Sequence, residues 1–441
     1  MQGKMSETKS SMNISPGLRR VAKMAKEHPG WGFTTLAHHI DLDLLREAQR
    51  RTRKDGAVGV DGVTSTEYER DLEANLRDLL DRAKSGRYRA PAVRRVLIPK
   101  GDGRTRPIGI PTYEDKLLQR AVAMVLEAVY EQDFEDCSYG FRPGRSPHEA
   151  LADLWGGAMR MGGGWVLEAD IRDCFGTLDH AHLREILHQR IRDGVLLRLI
   201  GKWLNAGVLE GGQMSWPESG TPQGGVISPL LANVYLHTVL DVWFAREVKP
   251  KLRGQARLIR YADDFVILLA NEADAHRVHG ALPARFASYG LTLHPGKTKL
   301  LAFRPPTAAR QSASFDFLGF THFWSRSLRG NWVVKRQTAK SRLARSLKRV
   351  TDWCRANRHL PIREQHAHLS QVIRGHCGYF GITGNSAALQ RFWQEVRSTW
   401  RKWLRRRSNQ AARNGRAWWD SLCERYPLPR PYAVHSVLRP R

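Results

Sequence analysis

Cysteine is scarce in this chain of 441 residues. The five present, Cys137, Cys174, Cys354, Cys377 and Cys423, are odd in number and never form a C-x-x-C pair. That usage excludes a disulfide framework and a zinc ribbon, and it fits a reducing compartment. Long apolar runs are missing as well. No stretch approaches the ~18 apolar residues that a membrane span needs, and the polar opening MQGKMSETKSSMNISPG has no apolar segment of signal-peptide type. A soluble, cytoplasmic protein without a membrane partner is expected. Acid is short relative to base: 43 Asp plus Glu stand against 71 Lys plus Arg, a formal net charge of +28. A balance so far from neutral disfavours an ordinary metabolic enzyme and points to a polyanion as partner.

The charge is unevenly placed. Residues 335 to 441 hold 24 Lys/Arg and 5 Asp/Glu, so +19 of the +28 lies in the last quarter. Along the chain, apolar spacing predicts helices over 42–52, 66–85, 115–131 and 181–206. RRVLIPKGDGRTRPIGIP (94–111) reads as a basic hairpin around a Gly-Asp-Gly turn, and GWVLEADIRDCF (164–175) as a strand ending in acid. LTLHPGKTKLLAF (291–303) and SFDFLGFTHFW (314–324) read as further strands, and from about residue 335 the pattern is helical. Within 335–356, Ala339, Leu343, Leu347, Val350 and Trp353 share one face while cations crowd the others.

RLIRYADDFVILL (257–269) sets two aspartates between two β-forming runs, which predicts a hairpin with the carboxylates at its tip. Alone, an Asp-Asp pair is ordinarily a solvated turn. Joining nucleotides, however, needs two divalent ions ~3.5 to 4 Å apart, and Mg²⁺ is usually held by a few carboxylates together with substrate phosphate. Asp170, Asp263 and Asp264 supply such a set if their strands lie side by side.

The chain resembles the reverse transcriptases of group II introns, which also serve as maturases. YADD, GTPQGGVISPLLANVYLH, IPTYEDKLLQRAV, SYGFRPGRSPHEAL, EADIRDCF, LTLHPGKTK and FDFLGF stand in that family's order, and the likeness runs from about residue 50 to past 400. The resemblance implies an α+β right-hand polymerase: an extension (1–50), fingers (51–160), a palm of antiparallel sheet and helices with the YADD site (161–328), an all-helical thumb or maturase domain (329–407) and a basic tail (408–441). It implies an RNA-directed DNA polymerase acting with two Mg²⁺ ions, for which Mn²⁺ can substitute. The implied partners are group II intron RNA, an RNA template with DNA primer, dNTPs and target DNA.

Carried over by position, Asp170 and Asp263 bind both metals and Asp264 completes the site. Phe175, five residues past the first ligand, is the steric gate against a ribose 2′-OH, and Gln223 lies near the incoming sugar and base, with glycines that let backbone come close. Lys100, Arg104 and Arg106 close over the triphosphate. Arg142 and Arg145 face template backbone, and Lys297 stands beside the active site. Arg342, Arg345 and Arg349 are taken as an RNA-binding face. Trp393, Trp400 and Trp403 fall at helical spacing, which favours core over base stacking, and His366, His368, His376 and Cys377 read as helix residues. No paired cysteines follow the thumb, so the nuclease domain of many relatives is not expected.

Three other readings remain open at this level. One is a domesticated relative working in phage defence or CRISPR spacer capture. Another is an RNA-binding splicing cofactor with vestigial polymerase activity. An RNA-templated RNA polymerase is disfavoured by the bulk of Phe175.

Overall fold

A computed structural model describes residues 15–99, 105–216, 219–221, 224–307, 311, 313–413 and 415–435. Helix starts fall where short polar side chains can take the free N–H groups of the first turn. Asp41 caps Leu42–Arg51, Thr64 and Glu67 form a capping box at Ser65–Tyr68, and Thr112 caps Tyr113–Tyr130. Asp193 divides the helix expected over 181–206 into His180–Arg190 and Gly194–Leu204. One of its carboxylate oxygens accepts from Val195 and Leu196 N–H, and the other from Leu36 and Ala37 N–H, so the break also ties down a distant segment.

Two compact units are present: residues 1–150 with 166–300, and residues 151–165 with 301–441. In the first unit, Tyr113–Tyr130 is buried on every side, which makes it the interior of that unit rather than an amphipathic surface helix. Strands β1 (Val93–Pro99) and β2 (Thr105–Ile110) pair antiparallel from Arg94↔Ile110 to Pro99↔Thr105. Strand β3 (Gly164–Asp170) ends in acid as expected. Two short strands, β4 (Val208–Glu210) and β5 (Gln213–Ser215), extend the first hairpin in the order β2-β1-β4-β5.

The site-bearing sheet has the order β6-β7-β3-β8, with β6 at Ala256–Tyr261, β7 at Asp264–Leu269 and β8 at Lys299–Phe303. β7 lies directly beside β3. Leu258, Ile259 and Phe265 through Leu269 are all buried, so this hairpin is enclosed on both faces, which is why its sequence is nearly continuous in apolar residues instead of alternating. Phe265 stacks on Phe286 of helix Glu272–Ala287 at 5.8 Å.

In the second unit, β9 (Phe315–Phe317), β10 (Phe320–Arg326) and β11 (Trp332–Thr338) form an antiparallel sheet in the order β11-β10-β9. β11 occupies residues 335–338, where helix was expected. Its Val333 and Val334 favour strand, and Val334 pairs with Trp324 across the sheet. Helices Lys340–Ala356, Ile362–Phe380 and Ser386–Leu404 follow and share a core of Leu343, Val350, Leu369, Ile373, Phe392 and Trp400. Trp400 is fully buried and its indole N–H donates to Gln365 Oε1 at 2.9 Å, while Trp393 and Trp403 pack partly buried against the same core. His368 stacks on Trp353 and His376 on Phe392, at 3.9 and 3.7 Å. No helix among the described residues is long and apolar enough to cross a membrane.

Candidate active site

The pairing of Tyr261 with Asp264 closes the β6–β7 hairpin around a two-residue turn, Ala262 and Asp263. Ala262 takes φ = 57°, the left-handed region that a non-glycine residue occupies only at a cost of about 1–2 kcal/mol. Burial pushes the Asp263 carboxyl above the ordinary carboxylate range; nearby Asp170 pushes the same way, while Arg106 and Arg260 oppose it. Asp170 and Asp263 therefore act on each other electrostatically, although 93 residues of chain separate them.

Asp170 ends β3, and its position is set from both sides. Its backbone carbonyl accepts from His294 N–H at 2.8 Å, and Lys297 Nζ donates to its Oδ2 at 2.6 Å. Arg172 N–H reaches Thr292 O at 2.8 Å, so the LTLHPGK segment is docked along the end of the strand. The stretch 291–298 expected as strand is instead a turn, joined to β3's end by the single bridge Ile171↔Leu293. The Lys297 pair is half exposed and adds little stability. It does keep a cation on the carboxylate.

Phe175 lies in a tight turn in which Gly176 N–H donates to Asp173 O at 2.8 Å. Thr221 N–H donates to Phe175 O at 2.7 Å and Gly220 N–H to Leu178 O at 2.8 Å, so the start of GTPQGG runs against the backbone of that turn. On its other side Gly224, at φ = 117°, comes so close to β2 that a Cβ there would sit 2.5 Å from Gly109 O. Val226 N–H donates to Gln119 Oε1 at 2.8 Å, which anchors the loop to Tyr113–Tyr130. Gly220 and Thr221 are thereby held at the Phe175 turn, and Gly224 at the strand carrying Arg106. Gln223 itself, Lys100 and Arg104 lie outside the described residues.

Some expected residues are placed elsewhere. Asp264 is exposed as the first residue of β7, and among the described residues no three His, Cys, Asp or Glu side chains are close enough together to hold a metal. Asp263 lies in the turn and Asp264 opens the strand that follows it. The expectation that Arg142 faces a template does not match its placement, because its guanidinium is buried against Glu131 and the Glu135 and Ser138 carbonyls, with Phe134 beneath it. The acid-rich end of the preceding helix captured it. Arg145 pairs with Asp136 at 2.7 Å near the surface, and Arg342 and Arg349 are exposed with Arg345 half-buried between them.

Sequence reading missed the group beneath the hairpin: Arg260, Asp241, Asn233 and Ser138, all buried. A signal for it existed, since Arg260 and Asp241 are isolated opposite charges within two apolar runs, LIRY and VLDVWF.

The sheet thus sets the Asp170 and Asp263 carboxylates at adjacent strand ends, with Lys297 paired to Asp170 and Arg106 acting on Asp263. Comparison with known proteins gives the class. Residues 98–322 match the reverse transcriptase (RNA-dependent DNA polymerase) family and residues 343–419 match the group II intron, maturase-specific domain. The chain is 39% identical over 251 residues to group II intron-encoded protein LtrA of Lactococcus lactis subsp. cremoris, covering 54% of this chain and 41% of that one. It is 34% identical over 326 residues to protein YkfC of Escherichia coli, covering 66% and 85%. Against an uncharacterized 91 kDa protein in the cob intron of Schizosaccharomyces pombe it is 42% identical over 349 residues, covering 66% and 42%. The chain belongs to the reverse transcriptase family and carries the maturase-specific domain of group II introns. It spans about two fifths of the length of LtrA.

The family generally uses divalent metal ions. The residues present fit one by their chemistry: Asp170 and Asp263 offer hard oxygen donors, and the Asp263 carboxyl, raised first by burial and further by Asp170, is one whose charged form a dication would favour.

Proposed function

We propose that this chain is an RNA-directed DNA polymerase that extends a DNA primer on an RNA template, binds group II intron RNA, assists its splicing and copies it into target DNA. The observation that carries the reading is the convergence of Asp170 and Asp263 at neighbouring strand ends, with Arg106 on the adjoining hairpin. Two Mg²⁺ ions, when bound, would activate the primer hydroxyl and steady the leaving pyrophosphate. Asp170 and Asp263 are the residues that would hold them, and Asp264 contributes from the strand end.

Lys297 keeps the Asp170 carboxylate fixed and supplies positive charge beside the reacting phosphates. Arg106, with Lys100 and Arg104 of the same hairpin, takes the triphosphate, for which a planar guanidinium fork is suited. Phe175 bars a 2′-OH, and its backbone carbonyl accepts from Thr221 N–H, two residues before Gln223. Fingers at 51–160, palm at 161–328 and thumb at 329–407 are the corresponding division of the chain. Arg342, Arg345 and Arg349 form the face offered to folded RNA; Arg145 is the remaining candidate for template backbone.

The test is purified chain with RNA template, annealed DNA primer and Mg²⁺, supplied with dNTPs or with rNTPs. Extension with dNTPs and little or none with rNTPs is expected. Equal use of both, or no extension, would refute the reading.

A further inference from the structure

A buried cation directly beneath the catalytic turn takes no part in the chemistry proposed above. Arg260 is fully buried, and so is its partner Asp241. All five of its N–H donors are taken. Nε and Nη2 donate to the two Asp241 oxygens at 2.8 and 2.5 Å, and Nη2 also to Ser138 Oγ at 2.8 Å. Nη1 donates to Asn233 Oδ1 at 2.9 Å and to the backbone carbonyl of Ala262 at 3.1 Å. Asn233 in turn donates from Nδ2 to Gly140 O at 2.7 Å, and Gly140 has no room for a Cβ, which would lie 2.4 Å from Ala262 N.

A buried ion pair is a poor device for stability, since apolar side chains of similar volume often serve as well. What a guanidinium supplies is direction. Here one prong of the fork is fixed by Asp241 and Ser138, and the other ends on Ala262 O. That carbonyl belongs to the peptide plane whose nitrogen is Asp263, so fixing it fixes the direction in which the Asp263 side chain leaves the backbone. Ala262 occupies the left-handed region that alanine disfavours, so the turn needs such a hold.

We infer that Arg260 is a positioning residue: clamped by Asp241, Asn233 and Ser138, it locks the Ala262–Asp263 peptide plane and thereby aims Asp263 toward Asp170 for metal binding. The inference rests on the polymerase reading for its kinetic arm and is independent of it for its binding arm. It is tested with two variants. Arg260→Met with Asp241→Leu removes both charges and leaves neither orphaned in the core. Arg260→Lys keeps a charge for Asp241 but cannot reproduce the fork.

Mn²⁺ binding to the free protein, read by electron paramagnetic resonance, should weaken about tenfold or more in both variants while the melting transition stays cooperative. Extension at saturating dNTP should slow by roughly 10- to 100-fold, the scale of a small misplacement, with the dNTP concentration for half-maximal rate changed less than about twofold. Adding Ala262→Gly to either variant should recover part of both losses, because glycine adopts the left-handed turn unaided. If the double variant does not fold, Arg260→Lys carries the test. Folded variants that bind Mn²⁺ and extend primers like the parent protein would overturn the inference, as would losses that Ala262→Gly leaves untouched. A parent protein that binds Mn²⁺ but extends nothing would refute the polymerase reading and leave the positioning claim to the binding measurements.

Discussion

Replacing Gly140 by alanine puts the smallest side chain where the structure has least room for one. The added Cβ would lie 2.4 Å from Ala262 N and 2.9 Å from Tyr261 C, both main-chain atoms of the β6–β7 hairpin. Ordinary contact begins at 3.4 Å, and no side-chain rotation relieves a clash with backbone. About 1 Å of displacement must therefore be shared between the SYGF loop and the YADD turn. Overpacking of this kind costs about 1–3 kcal/mol of stability. A 1 Å misplacement of catalytic groups costs about 10²-fold in rate, or about 2.7 kcal/mol of barrier.

Gly280 supplies the control. It lies inside helix Glu272–Ala287 with nothing near its Cβ position, so Gly280→Ala should stabilise by about 0.5–1 kcal/mol and leave activity alone. Single-turnover primer extension with both proteins at a temperature where both are folded, checked by circular dichroism, separates the two effects. Gly140→Ala extending within about twofold of the parent rate would refute the claim that this loop sets the catalytic turn.

Phe175→Val should raise rNTP use relative to dNTP use by opening the space a 2′-OH needs; competition between matched nucleotides on one template checks it, and unchanged discrimination would move the gate elsewhere. Changing Arg342, Arg345 and Arg349 together to Gln should flatten the log-log salt dependence of RNA affinity by roughly two to three units, at ~0.7 to 0.9 per lost phosphate contact. An unchanged slope in filter binding would mark that face as solvated surface. His322 is buried, and that burial, with Arg336 adding to it and the Phe317 backbone opposing, pushes its pKa down to about 3. The unfolded chain therefore takes up a proton below about pH 6.5 that the folded chain refuses, so stability should fall with acid by at most about 1.4 kcal/mol per pH unit down to pH 3. His322→Phe should flatten that fall in denaturant melts at pH 7, 5.5 and 4; a fall as steep as the parent protein's would assign the acid sensitivity to other groups.

The β6–β7 hairpin, the acid-tipped strand and the close approach of Gly224 were readable because each is local: a two-residue turn between β-formers, a charge ending an apolar run, a Gly-Gly pair. The Asp193 break, β4 and β5 were not, since a three-residue strand has no period and Asp193's second pair of N–H partners comes from residues 36 and 37. β11 was hidden by its charge. Lys335 and Arg336 made it look like the start of a basic helix, yet Arg336 is buried, reaching Leu151 O at 3.3 Å. Arg142 misled for the same reason, a cation in a basic loop being satisfied from within. In each case sequence supplied the charge and only tertiary packing decided whether it faced water or protein.

Asp170 and Asp263 are proposed to form one metal-dependent polymerase centre. Single-nucleotide extension of a DNA primer on RNA by the parent chain, Asp170→Asn and Asp263→Asn, at rising Mg²⁺, tests it most directly. Extension by the parent is expected, with a loss of at least about 10³-fold in each variant that added Mg²⁺ does not restore, because an amide replaces a charged metal ligand. Parent-like extension by either variant would contradict it.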